Sequence, residues 1–284
     1  MSATAADPGL ALAGVMGWPI AHSKSPRLFG HWFKTLEVVG HYVPLAVTPT
    51  DFADVLRALP KAGFRGVNVT VPHKEAALAA ADQRTEAARA IGAANLLRFD
   101  ADSGVIADNS DAYGFVENLW QSFPRWRPTA GPALVLGAGG AARAVVHALL
   151  AAGVTEIRVV NRSPERAEAL CAAFGPFVVA KSWDRRAGAA ADVATLVNAT
   201  SLGMMGSPAL EMPLDAAPPN ALVTDLVYAP LETPLLAAAR LRGMPAVDGL
   251  GMLLHQARPA FRTWFGVDPP VDQALRAACL GGQP

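Results

Sequence analysis

Residues Gly137-Ala138-Gly139-Gly140-Ala141-Ala142 carry the spacing G-x-G-x-x-A between an apolar run (133–136) and an alanine-rich amphipathic run (141–152). A strand and a helix in those places would let Gly137 make a tight turn and Gly139 bring the backbone close to a pyrophosphate. Ala142 would let the helix lie against the strand. The helix start at Gly140 and Ala141 offers N–H groups to the phosphates. The next apolar run (156–160) leads into Asn161-Arg162-Ser163, with Arg166 one turn further on. An acid at that tip would hold an adenosine ribose 2′-hydroxyl. Guanidinium groups stand there instead, and they match a 2′-phosphate in charge and fork geometry. The expected cofactor is therefore NADP.

A second polar set occupies the first 111 residues. Ser23-Lys24-Ser25-Pro26 puts two hydroxyls at a helix entry, with proline suited to its first position. Such hydroxyls beside helix N–H groups can cradle a carboxylate; Ser25 can equally be an N-cap. Gly66-Val67-Asn68-Val69-Thr70-Val71-Pro72-His73-Lys74 carries polar groups out of a strand and into a helix. A lysine there can donate a proton. Asn95 and Asp111 add an amide and a carboxylate at strand ends, where open α/β sheets bind ligands. Lys74 and Asp111 could also form an ordinary surface ion pair.

Other chemistries lack their parts. No Tyr-x-x-x-Lys follows Tyr42, Tyr113 or Tyr228, and the six histidines form no H-E-x-x-H. His73 and His147 read as local or packing residues. Two remote cysteines, Cys171 and Cys279, suit neither a zinc site nor a disulfide framework and read as buried thiols. No metal is expected.

To position these groups the chain alternates β-branched runs with amphipathic ones, the pattern of βαβ units around a parallel sheet. Strands are predicted at 14–16, 41–47, 66–71, 94–99 and 104–107. Helices are predicted at 26–39, 50–59, 74–81 and 85–91, with Gly40 and Gly63 as helix C-caps. A helix over 112–123 precedes a proline-rich linker, 124–132. Beyond the glycine turn come strands at 156–160, 177–180, 195–198, 222–226 and 245–247, then helices at 250–265 and 271–280. The fold class is α/β. Residues 1–112 make a substrate-binding domain with a mostly parallel sheet, and 113–249 a Rossmann-type NADP-binding domain. Residues 250–284 are helices that return to the first domain.

Hydrophobic residues are 52% of the 284 and charged residues 17%, with 24 basic against 24 acidic side chains. That balance argues against disorder and offers no broad basic field to nucleic acid or membrane, so a small-molecule substrate is expected. Residues 1–10 have no signal-peptide pattern and no window has the apolar length of a membrane span, which points to the cytoplasm. A homodimer is left open.

Ser-x-Ser-Pro, Asn-Val-Thr-x-Pro-x-Lys, Asn109-Ser110-Asp111, the glycine turn and Asn161-Arg162-Ser163 together resemble the shikimate dehydrogenase family. So do Asn198-Ala-Thr-Ser-Leu-Gly-Met204, Asp225-Leu-Val-Tyr228 and Asp248-Gly-Leu-Gly251 through Gln256. The resemblance runs in order from about residue 14 to 266. It implies NADPH-linked reduction of 3-dehydroshikimate to shikimate, on the route to chorismate and aromatic amino acids. It implies that Ser23, Ser25 and Thr70 take the substrate carboxylate, and that Asn95, Asp111 and Gln256 take the ring hydroxyls. Lys74 would serve proton transfer with Asp111 orienting it, and Tyr228 would lie near substrate and nicotinamide. Asn161, Arg162 and Ser163 would grip the 2′-phosphate, and Gly249 would lie beside the nicotinamide.

Four positions depart from the pattern. Phe29 stands where the family has His, Leu96 where Thr is frequent, and Ser110 and Ser163 where Thr is usual. The rival readings are a quinate/shikimate dehydrogenase with relaxed substrate or cofactor use, and an NADP-sensing module without turnover. Intact Lys74 and Asp111 argue against the second.

Overall fold

A computed structural model describes residues 11–281. The reading of residues 1–10 lies outside them. The chain divides into two compact units, Met1–Ser110 with Gln256–Pro284, and Asp111–His255.

In the first unit the strands are β1 (Leu12–Gly17), β2 (His41–Ala46), β3 (Phe64–Val69), β4 (Gln83–Arg84), β5 (Leu96–Asp100) and β6 (Gly104–Asp108). The helices are α1 (Ser25–Thr35), α2 (Phe52–Ala58), α3 (Lys74–Ala80) and α4 (Glu86–Ile91). The sheet order is β2-β1-β3-β5-β6-β4. Strand β1 is parallel to β2 and β3, and β4 is parallel to β6, whereas β5 runs antiparallel to both neighbours. Because β5 is reversed, its first residue pairs with Asn68 near the end of β3. On one face Met16, Val67, Val69 and Leu97 pack against Phe52 and Leu56 of α2 and Ala77 of α3.

Helix α1 stops at Thr35, not at 39, and Glu37 then takes a positive φ of 53°. Gly40 is therefore no C-cap: a Cβ there would meet the rings of Phe33 and Phe265 at 2.7 and 2.8 Å, so close aromatic packing requires the glycine. Gly63 does end a short helical turn in the left-handed conformation.

The second unit holds α5 (Asp111–Ser122), β7 (Ala133–Leu136), α6 (Gly140–Ala151), β8 (Ile157–Asn161), α7 (Pro164–Phe174) and β9 (Val178–Ser182). It continues with β10 (Thr195–Asn198), β11 (Leu222–Asp225), α8 (Pro234–Leu241) and β12 (Ala246–Val247). All strand pairs are parallel, in the order β9-β8-β7-β10-β11-β12. That is the doubly wound nucleotide-binding order. The run Leu134-Val135-Leu136 alternates between faces: Val135 joins one core with Val145 and Leu149 of α6, and Leu134 and Leu136 join another with Leu236 of α8. Both faces are covered, which is why these strands read as continuous apolar runs.

Helix α9 (Leu250–Phe265) begins in the second unit and ends in the first, and α10 (Gln273–Leu280) packs on α1. Residues 250–255 thus join the second unit, where the missing Cβ of Gly251 leaves room for Asn118 of α5. Asp111 also falls in the second unit, because it opens α5. Among the described residues no helix is long and apolar enough to cross a membrane.

Candidate active site

In the first unit the loop after β1 is folded back on itself. Ser23 N–H donates to Ile20 O (3.0 Å) and Ser25 N–H donates to Ser23 Oγ (3.3 Å). Ser25 is the first residue of α1 and Lys24 is the cap, without a side-chain cap bond. Ser25 is therefore no N-cap, and capping does not account for its buried hydroxyl. The Lys24 ammonium donates to Cys279 O at the end of α10 (3.1 Å), which ties this loop to the C-terminal helix.

Ser25 opens a series of polar contacts. Its hydroxyl acts on the Tyr42 phenol, favouring the ionised form against burial, and the Tyr42 Oη–H donates to Asn68 Oδ1 (2.8 Å). Asn68 Nδ2–H donates to Asn95 O (3.0 Å) and Asn95 Nδ2–H donates to Gln256 Oε1 (3.4 Å). Asn95 Oδ1 accepts from both the N–H and the Oγ–H of Ser110 (2.8 and 3.2 Å). Burial pushes the Tyr42 phenol well above its ordinary range, with Ser25 opposing, so Tyr42 stays neutral. The geometry thus brings Ser25, Asn95 and Gln256 into one network, and it adds Tyr42 and Asn68, to which the motif reading gave no role.

Phe29 explains itself here. Its ring stacks on Tyr42 with centroids 3.8 Å apart, and it is ringed by Trp32, Phe33, Phe261, Trp264 and Phe265. It sets the place of Tyr42 by packing. Leu96 is buried in the sheet core, paired with Asn68 and Asp108.

Thr70 N–H donates to Met16 O (2.9 Å), and its methyl group fills the space beside Gly17. Lys74 is the first residue of α3, and its carbonyl accepts from Ala94 N–H (2.9 Å), which holds the helix start beside the Asn95 segment. His73 is buried against Phe52, with ring Nε2 at 2.7 Å from Val47 O, so it is fixed as a packing residue. Asp111 is buried at the first position of α5, directly after Ser110.

In the second unit Gly137 takes φ +113°, and a Cβ there would lie 2.9 Å from Ala199 O. A Cβ on Gly139 would meet nothing within 4 Å. Internal packing therefore does not demand that glycine, whereas a pyrophosphate approaching the backbone would. Gly139 caps α6, Gly140 and Ala141 form its first turn, and Ala142 is fully buried against the sheet. Strand β8 ends at Asn161, whose Nδ2–H donates to Ser163 O (3.0 Å) and shapes the turn into α7. Arg162 and Arg166 are exposed, and neither forms an ion pair among the described residues. Two guanidinium groups at this strand end, with no acid at its tip, fit a 2′-phosphate.

Past β11, Tyr228 is half-buried and its phenol is raised by burial. A Cβ on Gly249 would fall 2.4 Å from Leu226 O. Asp225, between these segments in the packing, is fully buried and accepts from Asn198 Nδ2–H, Val227 N–H and Thr233 Oγ1–H. Burial raises its carboxyl to about 6 against those three donors. The folded state holds this proton more tightly, so its contribution to stability falls as pH rises from the ordinary carboxylate range through about 6. Among the described residues no group of three His, Cys, Asp or Glu side chains could hold a metal. Cys279 is buried with its thiol pushed up to about 11; Cys171 is half-buried.

Known proteins match along the chain. The family described as "Shikimate dehydrogenase substrate binding domain" matches residues 15–97. "Shikimate / quinate 5-dehydrogenase" matches 126–204, and "Shikimate 5'-dehydrogenase C-terminal domain" matches 249–279. The chain is 56% identical over 269 residues to the shikimate dehydrogenase (NADP(+)) of Paracoccus denitrificans strain Pd 1222, covering 95% of each. It is similar to the shikimate 5-dehydrogenase of Thermus thermophilus, solved in complex with NADP(H) and shikimate. The TM-score is 0.84 at 37% identity, over 95% of this chain and 98% of that one. Quinate dehydrogenase of Corynebacterium glutamicum, solved with NAD, gives a TM-score of 0.86 at 30% identity, over 95% and 98%. With three models of one family matched in order along the chain and this identity over nearly the whole length, the chain belongs to the shikimate dehydrogenase family.

Proposed function

We propose that this chain catalyses the reversible NADPH-dependent reduction of 3-dehydroshikimate to shikimate, in the cytoplasm, on the route to chorismate and the aromatic amino acids. The observation that carries this reading is the polar series Ser25–Tyr42–Asn68–Asn95–Gln256. It joins neutral hydroxyls and amides from the residues after β1, from β2, from the end of β3 and from the residue before β5, and such groups suit a small polyhydroxylated ring. Ser23 and Ser25, assisted by Thr70, hold the carboxylate, and Asn95, Asp111 and Gln256 hold ring hydroxyls.

NADPH, when bound, supplies the hydride that adds to the ketone carbon. Lys74 gives its proton to the ketone oxygen and is left as a neutral amine; in the reverse direction it takes that proton back. The turn at Gly137, Gly139, Gly140 and Ala141 receives the pyrophosphate. Asn161, Arg162, Ser163 and Arg166 receive the 2′-phosphate. Tyr228 and Gly249 border the nicotinamide.

Initial rates with shikimate and quinate, each with NADP and NAD, test the reading. Shikimate with NADP is expected to give the largest kcat/KM. A preference for quinate, or equal kcat/KM with the two cofactors, overturns it. The carboxylate site has its own test. Changing Ser23 and Ser25 together to Ala is expected to weaken shikimate binding by on the order of 10²-fold, since bonds to a charged group are lost. NADP binding, measured by calorimetry, is expected to stay unchanged. Equal weakening of both ligands would make the two serines structural.

A further inference from the structure

We propose that Asp225 is a positioning residue: with Asn198 and Thr233 it fixes the two loops at the carboxyl edge of the second sheet and so sets the place of Tyr228. This rests on the reading that Tyr228 borders the bound substrate and nicotinamide.

The geometry begins with strand register. Strands β10 and β11 are parallel neighbours, and Asn198 pairs with Asp225 at their last positions. The two side chains bond, Asn198 Nδ2–H donating to Asp225 Oδ1 at 2.8 Å. Each then organises the loop that leaves its own strand. Asn198 Nδ2–H also donates to Leu202 O (3.1 Å), and its Oδ1 accepts from Thr200 N–H and Oγ1–H (3.0 and 2.7 Å). Asp225 Oδ1 accepts from Val227 N–H (3.0 Å) and its Oδ2 from Thr233 Oγ1–H (2.7 Å). Thr233 in turn caps α8 through Leu236 N–H.

The loops are also joined directly, because Met205 N–H donates to Ala229 O at 2.8 Å, one residue beyond Tyr228. The third segment of this edge rests on the same backbone: a Cβ on Gly249 would meet Asp225 O at 2.7 Å. One buried carboxylate therefore stands where the segments carrying Met204, Tyr228 and Gly249 converge. A carboxylate suits the position because it accepts only, and three donors point at it. Removing it takes the acceptor from Val227 N–H and Thr233 Oγ1–H and one of two acceptors from Asn198 Nδ2, which loosens the β11 loop and its tie to the β10 loop. Misplacing a site group by an ångström can slow the reacting step by about 10²-fold without removing any group that binds ligand.

The test compares Asp225→Ala and Asp225→Asn, each with and without Tyr228→Ala, by steady-state kinetics. Asp225→Ala is expected to lower kcat by about 10- to 100-fold while KM for shikimate and for NADP change less than about threefold. Asp225→Asn keeps an oxygen toward Asn198 and Val227 and is expected to recover most of kcat. With Tyr228→Ala already present, Asp225→Ala is expected to add little, since residues acting through one another are not additive. Should Asp225→Ala not fold, Thr233→Val removes one donor to the carboxylate together with the α8 cap, and is expected to lower kcat in the same KM-sparing way. Unchanged kcat in Thr233→Val or Asp225→Ala overturns the proposal. Equal loss in the Asn and Ala variants overturns it too, because charge and not placement would then matter. A full additive loss on top of Tyr228→Ala overturns positioning while leaving the role of Tyr228 intact. Unchanged kcat and KM in Tyr228→Ala alone instead removes the reading on which the proposal stands.

Discussion

Replacing Lys74 with Met is expected to lower kcat by about 10²- to 10⁴-fold, the range for losing a positioned acid–base group. Met keeps an unbranched apolar stem at the start of α3, so the change removes the ammonium more than the packing. Shikimate affinity is expected to fall far less than kcat, because Ser23, Ser25, Asn95 and Gln256 remain to hold the ring. NADP affinity is expected to hold, because the glycine turn and Arg162 belong to the other unit. Single-turnover rates with saturating shikimate and NADP, alongside equilibrium binding of each ligand, separate these quantities. A variant with near-normal kcat and a greatly raised shikimate KM would make Lys74 a binding residue. The proton donor would then have to be another group.

Replacing Arg162 with Ala is expected to raise KM for NADP by about 10- to 100-fold, because a charge-assisted bond to phosphate contributes about 1.5–3 kcal/mol. KM for NAD is expected to change little, since NAD has no 2′-phosphate to lose contact with. The preference between the cofactors should therefore collapse while kcat with saturating NADP is retained. Arg162 is exposed and forms no ion pair among the described residues, so its removal strands no buried partner, and the folded state should be unaffected. An equal rise in KM for both cofactors would mean that Arg162 shapes the turn and does not read the phosphate. Arg166 would then be the group to change next.

What could be read from sequence was whatever is local. The glycine turn is six consecutive residues, and its meaning depends only on a strand before and a helix after it; both are where the apolar periodicity puts them. The strand tip at Asn161-Arg162-Ser163 is likewise short-range, and its lack of an acid is visible without a fold. Strands buried on both faces leave continuous apolar runs, so β7, β10 and β11 could be found to within a residue.

Tertiary structure alone decided the partnerships. Asn95 meets Gln256 across 161 residues of chain and Tyr42 meets Asn68 across 26, and nothing in either neighbourhood names the other partner. Phe29, which read as a departure from the family pattern, proved to be the ring beneath Tyr42, a fact about packing. Ser25 read as either cap or ligand, and only the backbone placed it inside the helix with its hydroxyl turned to Tyr42. Gly40 read as a helix stop but is demanded by aromatic rings from two distant segments. Asn198 and Asp225 were visible as motifs, yet their bond exists only because β10 and β11 pair in parallel with those residues in register. Local structure follows from sterics and periodicity within a few residues. Which buried donor finds which acceptor follows from sheet order and register, which the chain settles only when it closes its cores.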